Sequence, residues 1–588
     1  MCRLFRRPSS GQVLGFAMAF SIHQRPAMLL RLQSEIFDMV VVGGGITGAG
    51  VARDAALRGL KVALIERGDF AIGTSSRSSK LIHGGVRYLE MGDVALVFEA
   101  VRERQRLMRL APHLARPQSF LLPVYEARKK HSVFILDVGL TLYDLLASFA
   151  GVMHHRALRT KPMKRLEPLL KSAGLDGGVR FWDAMTDDGR LVMANLRGAL
   201  QAGALPVSRV SFVEPVWKNN RLLSVRLRDE LSGQTFLVAT QTVVSATGPW
   251  TDELHGKWKH APTAQTLRPS KGVHIVVPRD RLPLNQAVMM TAQDGRVVFA
   301  LPWPHATVLG TTDTLYHGDI REPEATFADA AYLLDTANQH FDAPDRPLEL
   351  ADVISSWAGI RPLVANSSES SYKTSREHVV STDPRGLVTV AGGKLTTYRV
   401  MAEQTVDAAL KLLPAQLVAE LKPSPTATLP LPGADQLVGV IRPLETLSDR
   451  LQGQHKLAED VAWHLARSYG SDAEDVLAAC DAEPGGRTPV LADLPYLWGE
   501  LAWLTREEMV ITLTDLCVRR TQLYYLAGER LLALAPEMAR RLAGWCDAPD
   551  ARQAEWIAEL AAFIEARKIR AESALIAASP EAESAHVA

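Results

Sequence analysis

The sequence predicts an α/β protein in which a doubly wound, mostly parallel sheet is interleaved with an α+β domain and followed by an all-α C-terminal cap. Three observations favour this fold class. A continuous apolar run at residues 37–42, typical of a buried parallel strand, leads into glycines and a helical segment. Alternating strand patterns recur between residues 205 and 390, and nearly everything beyond residue 435 has helical periodicity. At 588 residues the chain exceeds what one core supports.

The composition is that of an ordinary globular protein, with 47% hydrophobic and 22% charged residues. The formal net charge of +1 gives no electrostatic reason to expect a nucleic-acid partner. Four cysteines lie far apart without metal-ligand spacing, so we expect no disulfide framework and no metal site. No apolar run reaches the ~20 residues that a membrane-spanning helix needs.

The first 34 residues are unusual because arginines precede any acidic residue and a short apolar run occupies residues 13–20. Two interpretations stay open. One is a signal or transit segment, with residues 17–19 resembling a cleavage site. The favoured one is a disordered or untranslated extension upstream of the real start, with Met28 as an alternative initiator. Because residues 1–27 contribute to no motif, we expect a chain that starts at Met28 to keep its function.

A glycine fingerprint, Gly43-x-Gly45-x-x-Gly48, lies between the first strand and the following helix. Gly43 permits a tight turn, Gly45 lets backbone approach a pyrophosphate and Gly48 allows close helix–strand packing. The helix N-terminus, with Ile46 and Thr47, offers free N–H groups to the phosphates. Glu66, at the end of the second strand, is placed to accept hydrogen bonds from ribose hydroxyls. This pattern predicts a Rossmann-like dinucleotide-binding sheet.

Two later segments also end strands at small residues. Residues 245–250 contain Ala246, Gly248 and Trp250, and residues 391–397 contain Gly393, Lys394, Leu395 and Thr396. Three such strand ends, far apart in sequence, are what a long cofactor lying across the sheet requires. They favour FAD over NAD. Because no cysteine or second histidine is placed for covalent attachment, we expect non-covalent FAD.

These segments give the expected domain organisation. The FAD-binding domain is predicted from residues 35–120, 191–255 and 351–415. Residues 121–190 are predicted as a substrate or cap insertion and residues 256–350 as a substrate-binding sheet. Residues 1–34 form the extension, 416–435 a linker, 436–575 a helical domain and 576–588 a disordered tail. Within the helical domain, Asp515, Arg519 and Arg520 are expected to pack the cap or a dimer interface.

The stretch at residues 75–90 combines groups that a plain loop does not need. Within six positions it supplies His83, two glycines, Arg87 and Tyr88. Bare backbone beside a flat cofactor and a cation beside an anionic substrate would explain the mixture. The preceding residues are expected to line the cofactor, namely Ser78, Ser79, Lys80 and Leu81.

A series of motifs in this order resembles FAD-dependent sn-glycerol-3-phosphate dehydrogenase over roughly residues 36–410. The motifs are Gly43–Gly48, Ser78–Tyr88, Ala246–Trp250, Lys271–His274, Gly310–Asp313, Gly359–Leu363 and Gly392–Tyr398.

The resemblance implies oxidation of glycerol 3-phosphate to dihydroxyacetone phosphate by hydride transfer to FAD, with electrons passed to membrane quinone. It further implies a homodimer in the cytoplasm, peripheral on the inner face of the cytoplasmic membrane.

The substrate phosphate calls for planar, fixed donors, which arginine provides. Arg361 and Arg87 are the first choices and Arg376 the third, with a solvated surface charge as the alternative for each.

A base must take the hydroxyl proton. His83 and His274 are the candidates, although a histidine among apolar residues is usually a satisfied core histidine. Tyr88 is expected either to orient the hydroxyl or to pack. Lys394 is expected to stabilise negative charge that develops on the flavin.

Three rival functions remain open. Glycerol-3-phosphate oxidase would use the same site with oxygen as acceptor. An amino-acid oxidase of the same superfamily would want one arginine for a carboxylate, whereas this chain offers several. A flavin-binding protein without turnover is the rival of a different class.

Overall fold

The fold was analysed in a computed structural model. It describes residues 20–85, 94–126, 133–147, 154–258, 267–364 and 378–570. Arg87, Tyr88 and Arg376 lie outside the described residues, as does the predicted tail at 576–588.

Strands occupy the first two thirds of the described chain. In chain order they are β1 (Ile36–Val42), β2 (Val62–Glu66), β3 (Leu81–Ile82), β4 (Ala115–Tyr125), β5 (Arg156–Leu158), β6 (Leu175–Thr186), β7 (Leu205–Ser208), β8 (Val210–Lys218), β9 (Arg221–Asp229), β10 (Thr235–Ser245), β11 (Leu267–Pro278), β12 (Ala287–Thr291), β13 (Val297–Pro302), β14 (Ala306–Gly310), β15 (Thr314–Leu315), β16 (Ser355–Val364), β17 (His378–Asp383) and β18 (Leu387–Gly392).

Helices lie between the strands and form the C-terminal region. In chain order they are α1 (Arg25–Ser34), α2 (Ile46–Arg58), α3 (Val94–Leu110), α4 (Val133–Ala147), α5 (Thr160–Leu166), α6 (Asp188–Gln201), α7 (Thr251–Lys257), α8 (Phe327–His340), α9 (Tyr398–Leu410), α10 (Ala415–Val418), α11 (Pro443–His455), α12 (Glu459–Tyr469), α13 (Ala473–Ala482), α14 (Trp498–Glu507), α15 (Leu523–Ala527), α16 (Leu531–Cys546) and α17 (Ala551–Glu565), with a π-helical turn at Asp515–Arg520. Within the described ranges, no helix combines the length and the apolar character that crossing a bilayer requires.

The first sheet is doubly wound, which confirms the predicted fold class. Its main strand order is β17-β18-β10-β1-β2-β7, and the antiparallel β8 and β9 extend it from β10. β1 is parallel to β2 and to β10, and β10 is parallel to β18. Parallel strands bring their carboxyl ends to the same edge, so the residues that follow β1, β2, β10 and β18 meet there.

The second sheet has the order β15-β11-β14-β13-β12-β4-β6-β3, with β16 paired to β11 and β5 to β6. Its membership differs from the expected boundaries. The sequence predicts β3, the first part of β4 and β16 as parts of the FAD-binding domain. β16 runs antiparallel to β11 from Leu267↔Val364 to Val276↔Ser355, so its backbone hydrogen bonds fix it in the second sheet.

The helical C-terminal region is joined to the first sheet by buried charges. Asp69, shortly after β2, receives a bidentate ion pair from Arg520, with distances of 2.8 and 2.9 Å, and a further contact from Arg519 at 2.5 Å. Burial alone would raise the pKa of Asp69, but Arg520 and Arg519 hold it well below its usual range. These arginines therefore link the cap to the sheet within one chain, rather than serving a dimer interface.

The predicted linker packs against α2. Arg53 donates to the carbonyl oxygens of Leu429 (3.2 Å) and Pro430 (2.8 Å), and Leu431 and Ala434 are buried. This segment is thus part of the folded unit.

Residues 20–34 differ from the expected disordered extension. Phe20, Met28 and Leu32 are buried in the core of the first sheet. Arg25 forms a buried ion pair with Asp229 at 2.6 Å and donates to the Ser208 carbonyl oxygen at 3.0 and 3.2 Å. A chain that starts at Met28 would lose this anchor.

We expect Arg25→Ala to lower the free energy of unfolding by about 3 kcal/mol, because it leaves the Asp229 carboxylate buried without its cation. Denaturant unfolding of the two proteins measures the difference. Arg31→Ala is the matched control, since the Arg31–Glu35 pair lies at the surface one helical turn apart and is worth less than about 1 kcal/mol. Equal stability of the Arg25 variant and the wild type would show that α1 is not anchored by this pair.

Candidate active site

The glycine fingerprint closes the edge of the first sheet by backbone contact. Gly43 has φ +114°, and a Cβ on it would lie 2.5 Å from the Ala246 carbonyl oxygen. A Cβ on Gly48 would lie 1.9 Å from the Gly43 carbonyl oxygen. The ends of β1 and β10 can approach this closely only because these positions carry no side chain. Gly48 therefore packs α2 against the turn, as predicted, and does not line the cavity.

The N-terminus of α2 faces the same edge. Gly45 is the N-cap residue, and the Ile46 N–H donates to the Ser75 hydroxyl at 2.9 Å. Glu66, at the end of β2, accepts hydrogen bonds from the Gly44 and Gly68 N–H groups, both at 2.8 Å. Burial raises the pKa of the Glu66 carboxyl. The two amide groups hold the Glu66 carboxyl group beside the fingerprint glycines.

A cavity of about 790 Å³ extends from this edge to the second sheet. It contacts all three glycine-bearing strand ends, which lie far apart in the sequence. Of the site residues predicted from the sequence, those that line the cavity are Gly43, Gly45, Ile46, Thr47, Glu66, Ser78, Ser79, Leu81, His83, Ala246, Gly248, Trp250, His274, Arg361, Gly393, Lys394 and Leu395. A glycine cradle, a helix N-terminus and a cleft of this size fit a dinucleotide cofactor.

His274, on β11, lies at the wall of the cavity. Its Nε2 is 2.8 Å from the Ser79 hydroxyl, and its ring stacks on Trp357 with centroids 4.7 Å apart. Nδ1 has no hydrogen-bond partner among the described residues. Burial lowers the pKa of His274 well below its usual value, and the cations Arg361 and Lys80 lower it further. The imidazole is therefore neutral at physiological pH.

Arg361, on β16, projects into the cavity beside His274. Its guanidinium donates to the Thr311 hydroxyl at 3.0 Å and to the Thr312 carbonyl oxygen at 3.2 Å, and lies 3.4 Å from the Asp313 carboxylate. A Cβ on Gly272 would lie 2.4 Å from Arg361 Nη2. The missing side chain at Gly272 thus makes room for the guanidinium.

A second glycine makes room for the histidine. A Cβ on Gly310 would lie 2.1 Å from His274 Cδ2. Gly310 is paired with His274 across β11 and β14 and directly precedes Thr311, which holds Arg361. The two functional groups therefore converge on one short segment.

Lys394 and His83 bring the two sheets together at the cavity. Lys394 follows β18 as the N-cap of a short turn. The Thr396 hydroxyl in that turn bonds to the backbone N–H and carbonyl oxygen of His83, each at 3.1 Å. Thr396 thereby positions His83 without lining the cavity itself.

Lys80 differs from the expectation that it lines the cofactor. Its ammonium is buried, forms an ion pair with Asp188 and donates to the Ser76 carbonyl oxygen at 3.2 Å. Burial alone would lower the pKa of Lys80, but Asp188 raises it above its usual value. Asp188 also accepts hydrogen bonds from the Ser78 N–H and hydroxyl. Lys80 therefore supports the wall of the cavity from behind.

Sequence reasoning missed several lining residues. Thr311 and Asp313 belong to the Gly310–Asp313 motif, whose sequence alone assigns them no role. Asp183 carries no local signal; it is held by Tyr143 at 2.9 Å and by Arg104. An apolar part of the wall was also missed, formed by Phe120, Phe181, Met289 and Phe299.

Comparisons with known proteins agree with this geometry. The family described as FAD dependent oxidoreductase matches residues 38–399, and the C-terminal domain of alpha-glycerophosphate oxidase matches residues 424–553. Glycerol-3-phosphate dehydrogenase 2 of Mycobacterium tuberculosis is 39% identical over 96% of this chain and 94% of that protein. Alpha-glycerophosphate oxidase of Streptococcus pyogenes is 35% identical over 90% and 94%.

A solved structure supports the same assignment. The glycerol-3-phosphate dehydrogenase from Bacillus halodurans complexed with FAD matches with a TM-score of 0.75 and 32% identity, over 93% of this chain and 98% of that chain. FAD is thus the cofactor of the family whose model matches residues 38–399. The chain belongs to the FAD-dependent glycerol-3-phosphate dehydrogenase and oxidase family.

Proposed function

We propose that this protein oxidises sn-glycerol 3-phosphate at its secondary alcohol to dihydroxyacetone phosphate and that membrane quinone receives the electrons. The observation that carries the reaction is the convergence of Arg361 and His274 in the cavity that also opens onto the fingerprint glycines. An anion-binding group and a neutral base then flank the place where the cofactor and the alcohol must meet.

Arg361 binds the substrate phosphate in this proposal. The Arg361 guanidinium is held in one orientation by Thr311, Thr312 and Asp313. The side chain therefore loses little conformational freedom when a phosphate binds. Arg87 and Arg376 keep their predicted roles as further phosphate ligands.

His274 takes the hydroxyl proton. In the free protein burial lowers the pKa of His274, and the Arg361 cation lowers it further. A phosphate dianion bound to Arg361 offsets that cation and so raises the proton affinity of the imidazole. The base therefore strengthens when substrate is in place. Ser79 fixes the ring through Nε2, and His83 remains the alternative base.

The residues that would hold FAD are those of the glycine-lined edge. Gly43, Gly45 and the N-terminus of α2 would receive the pyrophosphate, and Glu66 a ribose. Lys394 would face negative charge developing on the ring system. When bound, FAD supplies the hydride acceptor for the alcohol carbon.

Two acceptors for the electrons are compatible with the family. Quinone is supported by the apolar wall of Phe120, Phe181, Met289 and Phe299, which suits a lipid-soluble ring better than a small polar molecule. Oxygen is the second candidate, because residues 424–553 match the C-terminal domain of alpha-glycerophosphate oxidase.

Replacing Arg361 by alanine should raise KM for glycerol 3-phosphate about 10- to 100-fold, since a charge-assisted hydrogen bond is worth about 1.5–3 kcal/mol. Without the guanidinium beside it, the Asp313 carboxylate would also repel the substrate phosphate. Steady-state kinetics measures KM, and absorbance measures flavin content, which should stay normal. Arg361→Lys should fall between the two proteins because it keeps the charge and loses the planar fork. Unchanged KM in the alanine variant would remove Arg361 from the phosphate site.

Replacing His274 by asparagine should lower kcat about 10²- to 10⁴-fold, because the hydroxyl proton loses its acceptor. KM and flavin absorbance should change little. His455→Asn serves as the control, since His455 pairs with Glu474 in the helical domain and should leave kcat intact. A His274 variant with normal kcat would transfer the role of base to His83.

The acceptor is tested by oxygen exclusion. Glycerol 3-phosphate added anaerobically should bleach the flavin absorbance, and a soluble quinone analogue should restore the colour and sustain turnover. In air with the analogue present, hydrogen peroxide should account for a minor share of the substrate consumed. Peroxide formed in equal amount to product would identify an oxidase, and flavin that stays coloured would identify a protein without turnover.

A further inference from the structure

A loop of the second sheet borders the cavity. It comprises residues 316–326, which we call the rim loop, and it runs from the end of β15 to the N-cap of α8. Arg321 and Glu322 at its tip line the cavity, and their side chains are 61% and 60% exposed. Among the loop residues, all of which the structure describes, only Pro323 is buried. Burial of its own side chains therefore does little to fix the loop.

The base of the rim loop is anchored to the second sheet. The Tyr316 N–H donates to the Pro269 carbonyl oxygen at 3.1 Å, and the Lys271 ammonium donates to the Glu324 carbonyl oxygen at 3.1 Å. These two bonds hold the start and the end of the loop. The position of its tip depends on other contacts.

The tip reaches across the cavity to the first sheet. Arg321 lies 3.7 Å from the Glu253 carboxylate on α7, and the Arg321 carbonyl oxygen accepts a hydrogen bond from Arg77 at 3.4 Å. Glu253 also pairs with Arg67 at 3.1 Å, and the Arg67 guanidinium lies 4.7 Å from the centroid of the Trp250 ring. The rim loop thus bridges the two sheets beside the ends of β2 and β10. Both contacts of Arg321 are long and exposed, so they hold the tip weakly.

A shorter contact holds the tip from the segment that follows α17. The Glu322 carboxylate pairs with the Arg567 guanidinium at 2.6 Å, and the Arg567 side chain is 9% exposed. Arg567 lies beyond residues 424–553, the range that matches the C-terminal domain of alpha-glycerophosphate oxidase. A residue outside the matched domain therefore reaches the border of the cavity.

Arg567 is fixed by contacts other than the one with Glu322. Its guanidinium lies 3.6 Å from the centroid of the Phe563 ring and donates to the Phe563 carbonyl oxygen at 3.1 Å. Its own carbonyl oxygen accepts a hydrogen bond from the Ser356 hydroxyl at 2.8 Å. Ser356 belongs to β16, the strand that carries Arg361. Because these contacts already order the Arg567 side chain, its pair with Glu322 loses less side-chain entropy than an ordinary surface pair.

We propose that Arg567 is a positioning residue for the cofactor, which holds the rim loop over the cavity and thereby slows the release of FAD. A loop fixed across a cleft must swing aside before a molecule bound beneath it can leave. The Glu322–Arg567 pair is the contact that breaks when this loop opens. The inference rests on the proposed function in one respect, that FAD lies along the glycine-lined edge.

The test is the rate at which the FAD-loaded full chain releases its flavin on dilution, followed by flavin fluorescence. Arg567→Ala and Glu322→Gln should each raise this rate about three- to fivefold, because each removes the same ion pair. The double variant should release FAD no faster than the faster single variant, since one interaction is lost only once. Lys568→Ala is the matched control. Lys568 is the next residue and pairs with Glu529 at 2.6 Å on the surface, so its loss should leave the rate unchanged.

Salt separates positioning of the loop from a general loss of stability. Salt screens a half-exposed ion pair, so it should accelerate release from the wild type. The acceleration should be smaller in both single variants, because the pair is already absent. Glu322 is exposed, so Glu322→Gln should fold normally and decides the matter even if Arg567→Ala unfolds.

Release rates equal to that of the wild type in both variants would overturn the proposal. A raised KM for glycerol 3-phosphate with unchanged FAD release would also overturn it, because the rim loop would then control entry of the substrate. Flavin release is measured without substrate, so it is independent of the reaction that the protein catalyses. Flavin that substrate fails to bleach would contradict the proposed function and leave the result for Arg567 intact.

Discussion

The antiparallel pairing of β11 with β16 is the constraint on which the rest of the site depends. It sets Trp357 opposite His274 and Arg361 opposite Ser270. Because side chains alternate along a strand, a slip of one residue would turn Arg361 away from the cavity. The glycines at 272 and 310 fit this one register, since each leaves space for the functional group beside it.

Buried charge pairs hold the walls around that register. Lys80 and Asp188 form such a pair behind Ser78 and Ser79, and the Lys80 ammonium lies 5.8 Å from the Trp357 ring on which His274 stacks. A buried pair contributes little to stability by itself, yet breaking one leaves a bare charge in the interior. The pair therefore fixes the position of the wall more than it stabilises the fold. Burial, the Arg361 cation and then the Lys80 ammonium lower the pKa of His274.

The parts of the site predicted from sequence are those with a local signal. A local pattern predicts Gly43, Gly45 and Glu66, because strand ends, glycines and a helix start occur within a short span. His274 and Arg361 were found because they stand beside glycines in motifs that resemble a family. The arrangement of Lys80 was not predictable, since its partner Asp188 is 108 residues away and only folding brings them together. The same holds for Asp183 and its link to Tyr143.

The prediction for the N-terminal segment was wrong for a related reason. Residues 20–34 look like an appendage because they carry no motif, and their composition alone gives no hint of burial. Their role depends on Asp229 and Ser208, about two hundred residues further on. The predicted domain boundaries differ from the structure for the same reason. β16 belongs to the second sheet, although in the chain it directly precedes β17 and β18 of the first sheet.

The bridge from Asp69 to Arg519 and Arg520 constrains how this protein can evolve by recombination. A C-terminal domain exchanged with one from a relative must bring two arginines to the same place, or the Asp69 carboxylate is stranded in the interior. The loop after β2 and the π-helical turn of the cap are thus inherited as a unit, although 450 residues separate Asp69 from Arg519. A chimera joined at residues 416–435 without matching this bridge would leave the Asp69 carboxylate buried without its arginine partners.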